Sequence, residues 1–335
     1  MKHLFLSMVL LCWVGMFSGC QSKETSTPSE ETLLDGMYHS ISPLPQADTV
    51  MYAIGNTELF VRIQGTGPTL VVVHGGPGLS HHYLRPSLDY LSRSYRLVYY
   101  DQRLSGLSAP ACDTSDITLQ RWVEDLEELR EKLGVDSMIL LSHSWGALVA
   151  MKYAAVHSEH LAGLVFLNPV AAEPGYVQQA SARLQERLTS VDQLTREKLI
   201  RSQEFQNGEK QAILAAYRFS FAQSVFRRSV LDSLNLFIPD RSITRQQHLS
   251  YLYKDQEMQI YNYYIQLGQV HSPTLVIHGS YDATPVEASE KLAASLKGEL
   301  AVIQDSGHFS FLETPEEMAN LLEKFLNGLH NTHKS

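Results

Sequence analysis

Three residues that could act as a nucleophile, an orienting acid and a base stand far apart in the sequence, in the order serine, aspartate, histidine. Ser144 stands in the segment SHSWG, Asp282 ends the segment HGSYD, and His308 stands in the segment SGHFS. A serine hydroxyl is a poor nucleophile at neutral pH, so it needs a base and a group that orients the base. The pattern predicts acyl transfer through Ser144, with His308 as the base and Asp282 as the orienting acid.

Each of these residues also has a simpler explanation. Asp282 precedes Thr-Pro and could cap a helix, and His308 could pack against the aromatic residues that follow it. Asp305 is an alternative acid, but it stands on the same loop as His308, too near in sequence to orient it. We therefore favour Asp282, because the ordered set of three is more specific than any member alone.

A glycine-rich segment, HGGPG at 74–78, supplies a second element of this chemistry. Reaction at a carbonyl builds negative charge on its oxygen, and backbone N–H groups stabilise that charge where no side chain blocks the approach. We expect the N–H groups of Gly76 and Trp145 to form this oxyanion hole. A plain tight turn after a strand is the alternative explanation of the glycines.

Each predicted catalytic residue follows an apolar run of the kind that forms a buried strand. Because the carboxyl ends of parallel strands meet at one edge of a sheet, the three residues would converge there. Ser144 in addition stands between such a strand and a helix predicted at 147–155, which is typical of a nucleophile elbow. The three runs are residues 139–141, 274–278 and 299–303.

Strands and helices alternate along most of the chain, which predicts an α/β fold with a mostly parallel sheet flanked by helices. A β-hairpin is predicted first, because Gly55-Asn56 joins two short strand patterns. Further strands are predicted at 69–73, 96–100 and 161–167, and helices at 83–91, 118–133, 285–296 and 315–326.

This alternation stops between residues 171 and 268. The span contains no convincing strand and is too long for one α/β connection. Its apolar residues recur at helical spacing, as in Ile213, Leu214 and Tyr217. The sequence therefore predicts a core domain at 46–170 and 269–330, with a helical cap inserted at 171–268.

The motifs together resemble the proline iminopeptidase family of α/β-hydrolases, and are similar to those of the tricorn-interacting aminopeptidases. The family usually has glycine where this chain has Leu104 and Ser142. The resemblance implies an α/β-hydrolase fold, release of an N-terminal residue, often proline, from short peptides, and the site residues predicted above. The motifs are HGGPG at 74–78, DQRLSG at 101–106, SHSWGALVAMKYA at 142–154, HGSYD at 278–282 and SGHFSFLETPEE at 306–317.

An aminopeptidase must also meet the charged α-ammonium of its substrate, because an unpaired buried charge is costly. The resemblance implies that carboxylates of the cap do this. Glu173, just past a strand, and Glu204, beside Phe205, are the candidates we favour, although both could equally lie on solvated helix faces. Two other functions stay open: a carboxylesterase or lactonase with the same machinery, and a binding or scaffold protein with an inactive hydrolase fold.

The chain begins like an exported protein. Lys2 precedes an apolar run that ends in Ser-Gly-Cys, which resembles a bacterial lipoprotein signal peptide at 1–19 with lipidation at Cys20. The polar residues 20–45 then predict a flexible tether, with the protein lipid-anchored at the outer membrane or the periplasmic side. An ordinary signal peptide or an uncleaved anchor is the alternative.

Composition narrows the choice of partners. The formal net charge of −9 argues against nucleic acid as a partner. The sequence shows no metal-ligand cluster and no dinucleotide-binding fingerprint, so no cofactor is expected. The predicted partners are a short peptide or a small ester as substrate, and a membrane through Cys20.

Overall fold

A computed structural model describes residues 43–109, 116–239, 249 and 251–332 of the 335-residue chain. The predicted signal peptide, Cys20 and the tether as far as residue 42 lie outside the described residues. Among the described helices, none combines the length and the apolar character needed to cross a membrane.

Eight strands in the described residues form one sheet, in the order β1-β2-β4-β3-β5-β6-β7-β8. Strand β2 pairs antiparallel with both β1 and β4, and all other neighbours are parallel. The predicted hairpin and the mostly parallel sheet are thus confirmed. The strands are β1 (Ala47–Ile54), β2 (Thr57–Gln64), β3 (Thr69–Val73), β4 (Arg96–Tyr100), β5 (Met138–Ser144), β6 (Leu161–Pro169), β7 (Thr274–Gly279) and β8 (Glu299–Ile303).

The central strands are apolar on both faces because helices cover both sides of the sheet. In β3, Leu70 and Val72 contribute to one hydrophobic core, and Val71 and Val73 contribute to the other. Successive side chains of a strand point to opposite faces, so an unbroken apolar run is what a sheet buried on both sides requires. The strand ends are thereby held firmly from above and below.

Helices fill the connections. Helix α2 has clear ends: the Thr118 hydroxyl accepts a hydrogen bond from the Arg121 N–H, and Gly134 ends the helix with a φ of 68°. The α-helices are α1 (Arg85–Leu88), α2 (Leu119–Leu133), α3 (Gly146–Val156), α4 (Pro174–Glu186), α5 (Ser190–Ile200), α6 (Gln203–Gln206), α7 (Lys210–Phe221), α8 (Glu257–Ile260), α9 (Tyr264–Leu267), α10 (Val286–Leu296), α11 (Ser310–Glu313) and α12 (Pro315–Thr332).

Residues 83–91 are helical, as predicted, but in short pieces rather than one continuous α-helix. The segment consists of a 3₁₀ turn at His81–Tyr83, the single α-turn α1, and a second 3₁₀ turn at Asp89–Arg93. Pro86 explains the interruption, because proline has no N–H to continue the ladder from the preceding turn.

Between β6 and β7 the described residues contain helices and turns but no strand. Helices α4 to α7 occupy residues 174–221, and the short helices α8 and α9 lead back to β7. We use the term cap for this helical segment between the two strands. Its boundaries as a domain stay a prediction.

Candidate active site

Ser144 ends β5 and turns the chain sharply into α3. Its φ of 54° lies in the left-handed region, which a residue with a side chain adopts only at a cost in energy. Gly146 allows the close packing behind this turn: a Cβ atom there would lie 2.3 Å from the Val73 carbonyl oxygen. The strand, turn and helix predicted around Ser144 are present.

The structure brings the three predicted residues into one chain of hydrogen bonds. The Ser144 Oγ lies 2.8 Å from the His308 Nε2, and the His308 Nδ1 lies 2.8 Å from the Asp282 Oδ2. With the Nδ1–H donating to Asp282, the Nε2 can accept the serine proton. This geometry can activate a hydroxyl for attack on a carbonyl carbon.

Asp282 is buried and held by several donors. The Thr284 N–H donates to its Oδ1 at 3.1 Å, and the Asn168 Nδ2 donates to its Oδ2 at 3.2 Å. Burial raises the pKa of Asp282, but the charge and hydrogen bond of His308 oppose this and leave it at about 2. The acid is therefore ionised at neutral pH. Asp305, the alternative acid, is exposed.

Asn168 is a site residue that the sequence analysis missed. It stands near the end of β6 with a φ of 42°, and its amide also donates to the Gly307 carbonyl at 2.8 Å. One side chain thus ties the loop of Asp282 to the loop of His308. A polar residue at the end of an otherwise apolar strand was the signal available in the sequence.

A second set of hydrogen bonds lies behind Ser144. The Tyr83 hydroxyl accepts from the Gly75 N–H at 2.6 Å and contacts the His143 Nδ1 at 2.8 Å, while the His143 Nε2 donates to the His308 carbonyl at 2.9 Å. Burial lowers the pKa of His143 to about 3, so the ring is neutral and donates through one nitrogen only. These contacts fix the backbone of the histidine base, and no pattern in the sequence would have identified them.

The glycine-rich segment reaches the same place. Because the Gly75 N–H already donates to Tyr83, the next N–H, that of Gly76, is the better candidate for an oxyanion donor. Gly76 lines the cavity beside Ser144, with a φ of 137°. Trp145 is buried at the start of α3. Their roles as donors stay a prediction.

Asp101 and Arg103 hold loops by charge-assisted hydrogen bonds. The Asp101 carboxylate accepts from the His81 N–H at 2.9 Å and from the Leu107 N–H at 2.8 Å. The Arg103 guanidinium is buried and pairs with both Asp125 oxygens, at 2.6 and 2.7 Å. Leu104, where the family usually has glycine, has a φ of 61° and is therefore strained.

A cavity opens above Ser144 between the sheet edge and the cap. The sheet side contributes Gly75, Gly76, Asp282 and His308. Half of the cap residues that line it are apolar, and the others are four neutral polar residues and one arginine. The cap residues that line it are Ala180, Leu184, Gln185, Leu188, Arg196, Phe219, Ser220, Phe221, Gln223 and Ser224.

The two acids predicted to bind an α-ammonium are not brought to this cavity. Glu173 accepts from the Lys291 Nζ at 3.2 Å and from the Asn262 Nδ2 at 2.9 Å, and it is not among the lining residues. Glu204 is exposed in the first turn of α6. Among the described residues that line the cavity, the only carboxylate is that of Asp282.

Two groups of side chains in the described residues have the spacing of metal ligands, but their carboxylates are already engaged. The first group is His81, His82 and Asp101, and the second is Glu127, His157 and His160. Asp101 accepts the hydrogen bonds given above, and Glu127 accepts from Arg130 at 2.7 Å. Neither group lies among the residues that line the cavity.

Comparison with known proteins agrees with this fold. Residues 68–315 match the family model of the alpha/beta hydrolase fold. Two relatives named proline iminopeptidase are similar: that of Saccharolobus solfataricus is 28% identical over 81% of this chain and 88% of its own, and that of Heyndrickxia coagulans is 26% identical over 79% and 92%. The crystal structure of a proline iminopeptidase-related protein from Thermus thermophilus is 25% identical, covers 85% of this chain and 98% of its own, and has a TM-score of 0.65. The resemblance stated from the motifs is confirmed.

Proposed function

The chain belongs to the alpha/beta hydrolase fold family, and from this premise we propose that it is a serine hydrolase with Ser144 as nucleophile. His308 is the general base, and Asp282 orients the base and stabilises its charged form. The observation that supports the proposal most directly is the hydrogen-bonded chain from Ser144 through His308 to Asp282, with 2.8 Å at each step.

The reaction follows from these contacts. The Ser144 Oγ attacks the substrate carbonyl carbon as its proton passes to the His308 Nε2, and the N–H groups of Gly76 and Trp145 stabilise the oxyanion. The carbonyl re-forms as the bond to the leaving group breaks, and His308 gives its proton to that group. Water, activated by the same histidine, then hydrolyses the acyl-enzyme and regenerates the serine.

The proposed substrates are short peptides, from which the enzyme releases an N-terminal, proline-type residue. The similar proteins named proline iminopeptidase support this choice. The cap also offers an apolar wall for a proline ring, which includes Leu184, Phe219 and Phe221.

A second candidate is a carboxylic ester hydrolase or lactonase with the same machinery. One observation favours it: among the described lining residues no cap carboxylate is available to pair with an α-ammonium. A neutral acyl group would need no such partner.

The test of the nucleophile is labelling with a fluorophosphonate together with hydrolysis. Ser144→Ala should abolish labelling and reduce turnover by a factor on the order of 10⁴–10⁶. Ser142→Ala is the matched control, because Ser142 is buried two residues away and donates to the Val165 carbonyl at 3.2 Å. Full labelling of the Ser144→Ala protein would refute the proposal.

The substrate class is tested with proline 4-nitroanilide, its N-acetyl derivative and 4-nitrophenyl acetate. A strict need for the free amine supports the aminopeptidase. Equal cleavage of free and blocked anilides, or cleavage of the ester alone, supports the second candidate instead.

We also propose that the chain is exported and lipid-anchored through Cys20, on the sequence pattern alone. Mass spectrometry of the membrane fraction should find an acylated N-terminus at Cys20, and Cys20→Ser should release the protein from membranes. An unmodified N-terminus at another residue would refute this proposal.

A further inference from the structure

The two sides of the cavity differ in charge. On the sheet side, the ionisable side chains already bond to one another: His308 to Asp282, and His143 to Tyr83. On the cap side, Arg196 of α5 is the one ionisable side chain among the described residues that line the cavity. The cap side of the cavity therefore includes one positively charged residue.

Neighbouring acids do not neutralise this charge. Asp192, one turn earlier on α5, accepts from the two Nη atoms of Arg228 at 2.9 and 3.1 Å and also from the Thr189 N–H at 3.0 Å. The hydrogen bonds from Arg228 are the main reason that the pKa of Asp192 lies well below its ordinary value. Glu197 is exposed. In the described part of the chain no ion pair to Arg196 is found.

Two other arginines of the cap, Arg187 and Arg228, have partners. The Arg187 guanidinium lies 4.0 Å from the centre of the Tyr281 ring and donates to the Gln223 carbonyl at 2.9 Å, while Arg228 pairs with Asp192. Arg196 is partly buried and contributes to the cavity wall instead. Its charge is thus partly desolvated and available to a ligand.

The chemistry of such a group points to a carboxylate. A guanidinium presents its N–H groups as a planar fork that binds a carboxylate through two parallel hydrogen bonds. A phosphate monoester carries a charge of about −1.5 to −2 at neutral pH and would leave part of it unmatched beside a single cation. The sign is also opposite to that needed for an α-ammonium.

We propose that Arg196 determines substrate specificity by binding a carboxylate of the substrate, so that the enzyme prefers substrates whose leaving group is anionic. The inference rests on the proposed function. When the acyl part is one residue, the remainder of the cavity receives the leaving group. The free C-terminal carboxylate of a dipeptide or tripeptide then meets Arg196.

The first experiment compares matched substrates that differ only in this charge: Pro-Gly with Pro-Gly amide, and 4-acetoxybenzoate with 4-acetoxybenzamide. The native enzyme should favour the anionic member by about tenfold or more in kcat/KM, as expected of a charge-assisted pair. Arg196→Gln should bring the ratio to about one, and Arg196→Lys should restore part of it because the charge remains without the fork.

The matched control is Lys198→Gln, which removes the same charge from an exposed position on the same helix. It should leave the preference unchanged. If the native enzyme shows no preference, or if Arg196→Gln keeps it, the inference is wrong.

A second measurement is independent of turnover. The Ser144→Ala protein is titrated calorimetrically with 4-phenylbutanoate and with 4-phenylbutanamide, and the acid should bind about tenfold tighter unless Arg196 is also replaced by Gln. Equal binding of acid and amide would overturn the inference. An intact preference in binding, with no Ser144-dependent hydrolysis by any of the variants, would refute the proposed function and leave Arg196 as a carboxylate-binding residue only.

Discussion

The sheet side and the cap side of the cavity, which we call the sheet wall and the cap wall, are held in place by different contacts. On the sheet wall, Asn168, Asp282 and His308 are buried at strand ends and hydrogen-bonded across several elements. On the cap wall, the helix that bears Arg196 leaves Val191 and Leu194 largely exposed, at 71% and 68%. The groups proposed to break bonds are thus far more constrained than the groups proposed to select the substrate.

The difference follows from the origin of the contacts. The sheet wall draws its order from long-range contacts, such as the His143 Nε2 to the carbonyl of His308, 165 residues away. Helix α5 draws much of its order from neighbours within the cap: Thr189 caps its first turn, and Arg228 pairs with Asp192. A change in α5 can therefore alter selection without disturbing the catalytic geometry, although another part of the cap does touch the base, since the Ser224 carbonyl accepts from the His308 N–H at 2.8 Å.

The largest effect should come from the acid of the sheet wall. Asp282→Asn keeps the shape of the site but removes the charge that holds the His308 tautomer, so kcat should fall by about 10⁴. Asp305→Asn is the matched control on the neighbouring loop and should retain nearly full activity, because Asp305 is exposed. Steady-state kinetics of the two variants decides this, and comparable losses in both would mean that the acid is wrongly assigned.

Two glycines compare the packing of the walls. A Cβ atom on Gly75 would lie 2.7 Å from the Tyr83 hydroxyl and 3.0 Å from the Ser144 Cβ, whereas one on Gly175 of α4 would meet nothing within 4 Å. Gly75→Ala should displace the nucleophile and cost about 10²-fold in kcat. Gly175→Ala should leave kcat unchanged and stabilise the fold by at most about 1 kcal/mol. Kinetics and urea denaturation measure both effects, and an active Gly75→Ala enzyme would contradict the tight packing.

Low pH should lower the free energy of unfolding, because two histidines of the sheet domain are buried. Burial lowers the pKa of His74 to about 4 and of His143 to about 3, from an ordinary value of 6.5. Below pH 6.5 the unfolded chain takes up protons on these two rings, whereas the folded chain does not. The free energy of unfolding therefore keeps its full value above pH 6.5 and decreases as the pH falls towards 4. At pH 5 each histidine should cost about 2 kcal/mol in the free energy of unfolding.

Urea denaturation at pH 7 and pH 5 measures this loss. His143→Gln should remove about half of the part due to these two histidines, while His271→Gln is the control for losing an exposed histidine. A free energy of unfolding that stays constant between the two pH values would show that the buried rings do take up protons in the folded state.

The sequence predicted the sheet wall well because a mostly parallel sheet follows from the alternation of strands and helices. Ser144, Asp282 and His308 each follow an apolar run, and parallel strands carry their carboxyl ends to one edge. The helix expected at 83–91 is divided into short turns, because Pro86 has no N–H for a continuous ladder. Asn168 was missed although its position at the end of an apolar strand was a signal, because the loops that it joins are known only from the structure. Tyr83 was missed because no local pattern records its contacts.

The cap was predicted only as helical. The helical spacing of apolar residues indicates which face of a helix is apolar, but it does not fix how the helix is rotated against the rest of the fold. Glu173 and Glu204 were therefore chosen by their position along the chain. The ionisable cap residue that lines the cavity is instead Arg196, on a helix between them. The charge of the cap wall could be learned only from the packing.

The smallest effect should come from Thr189, the N-capping residue of α5. It tests whether the cap segment can change without a change in the sheet wall. The Thr189 Oγ1 accepts from the Asp192 N–H at 3.1 Å, and the Asp192 carboxylate accepts from the Thr189 N–H, which together form a capping box. Thr189→Ala should lower the free energy of unfolding by about 1 kcal/mol, because one N–H of the first turn loses its partner. Thr189→Ser should be nearly neutral, since it keeps the hydroxyl.

Turnover of the neutral substrate 4-acetoxybenzamide by Thr189→Ala should stay within about twofold of the native rate, because the hydrogen-bonded chain from Ser144 to Asp282 involves no residue of α5. The preference for 4-acetoxybenzoate should narrow, since α5 holds Arg196 in the cavity wall. Equal losses of turnover on both substrates would show that the two walls are coupled.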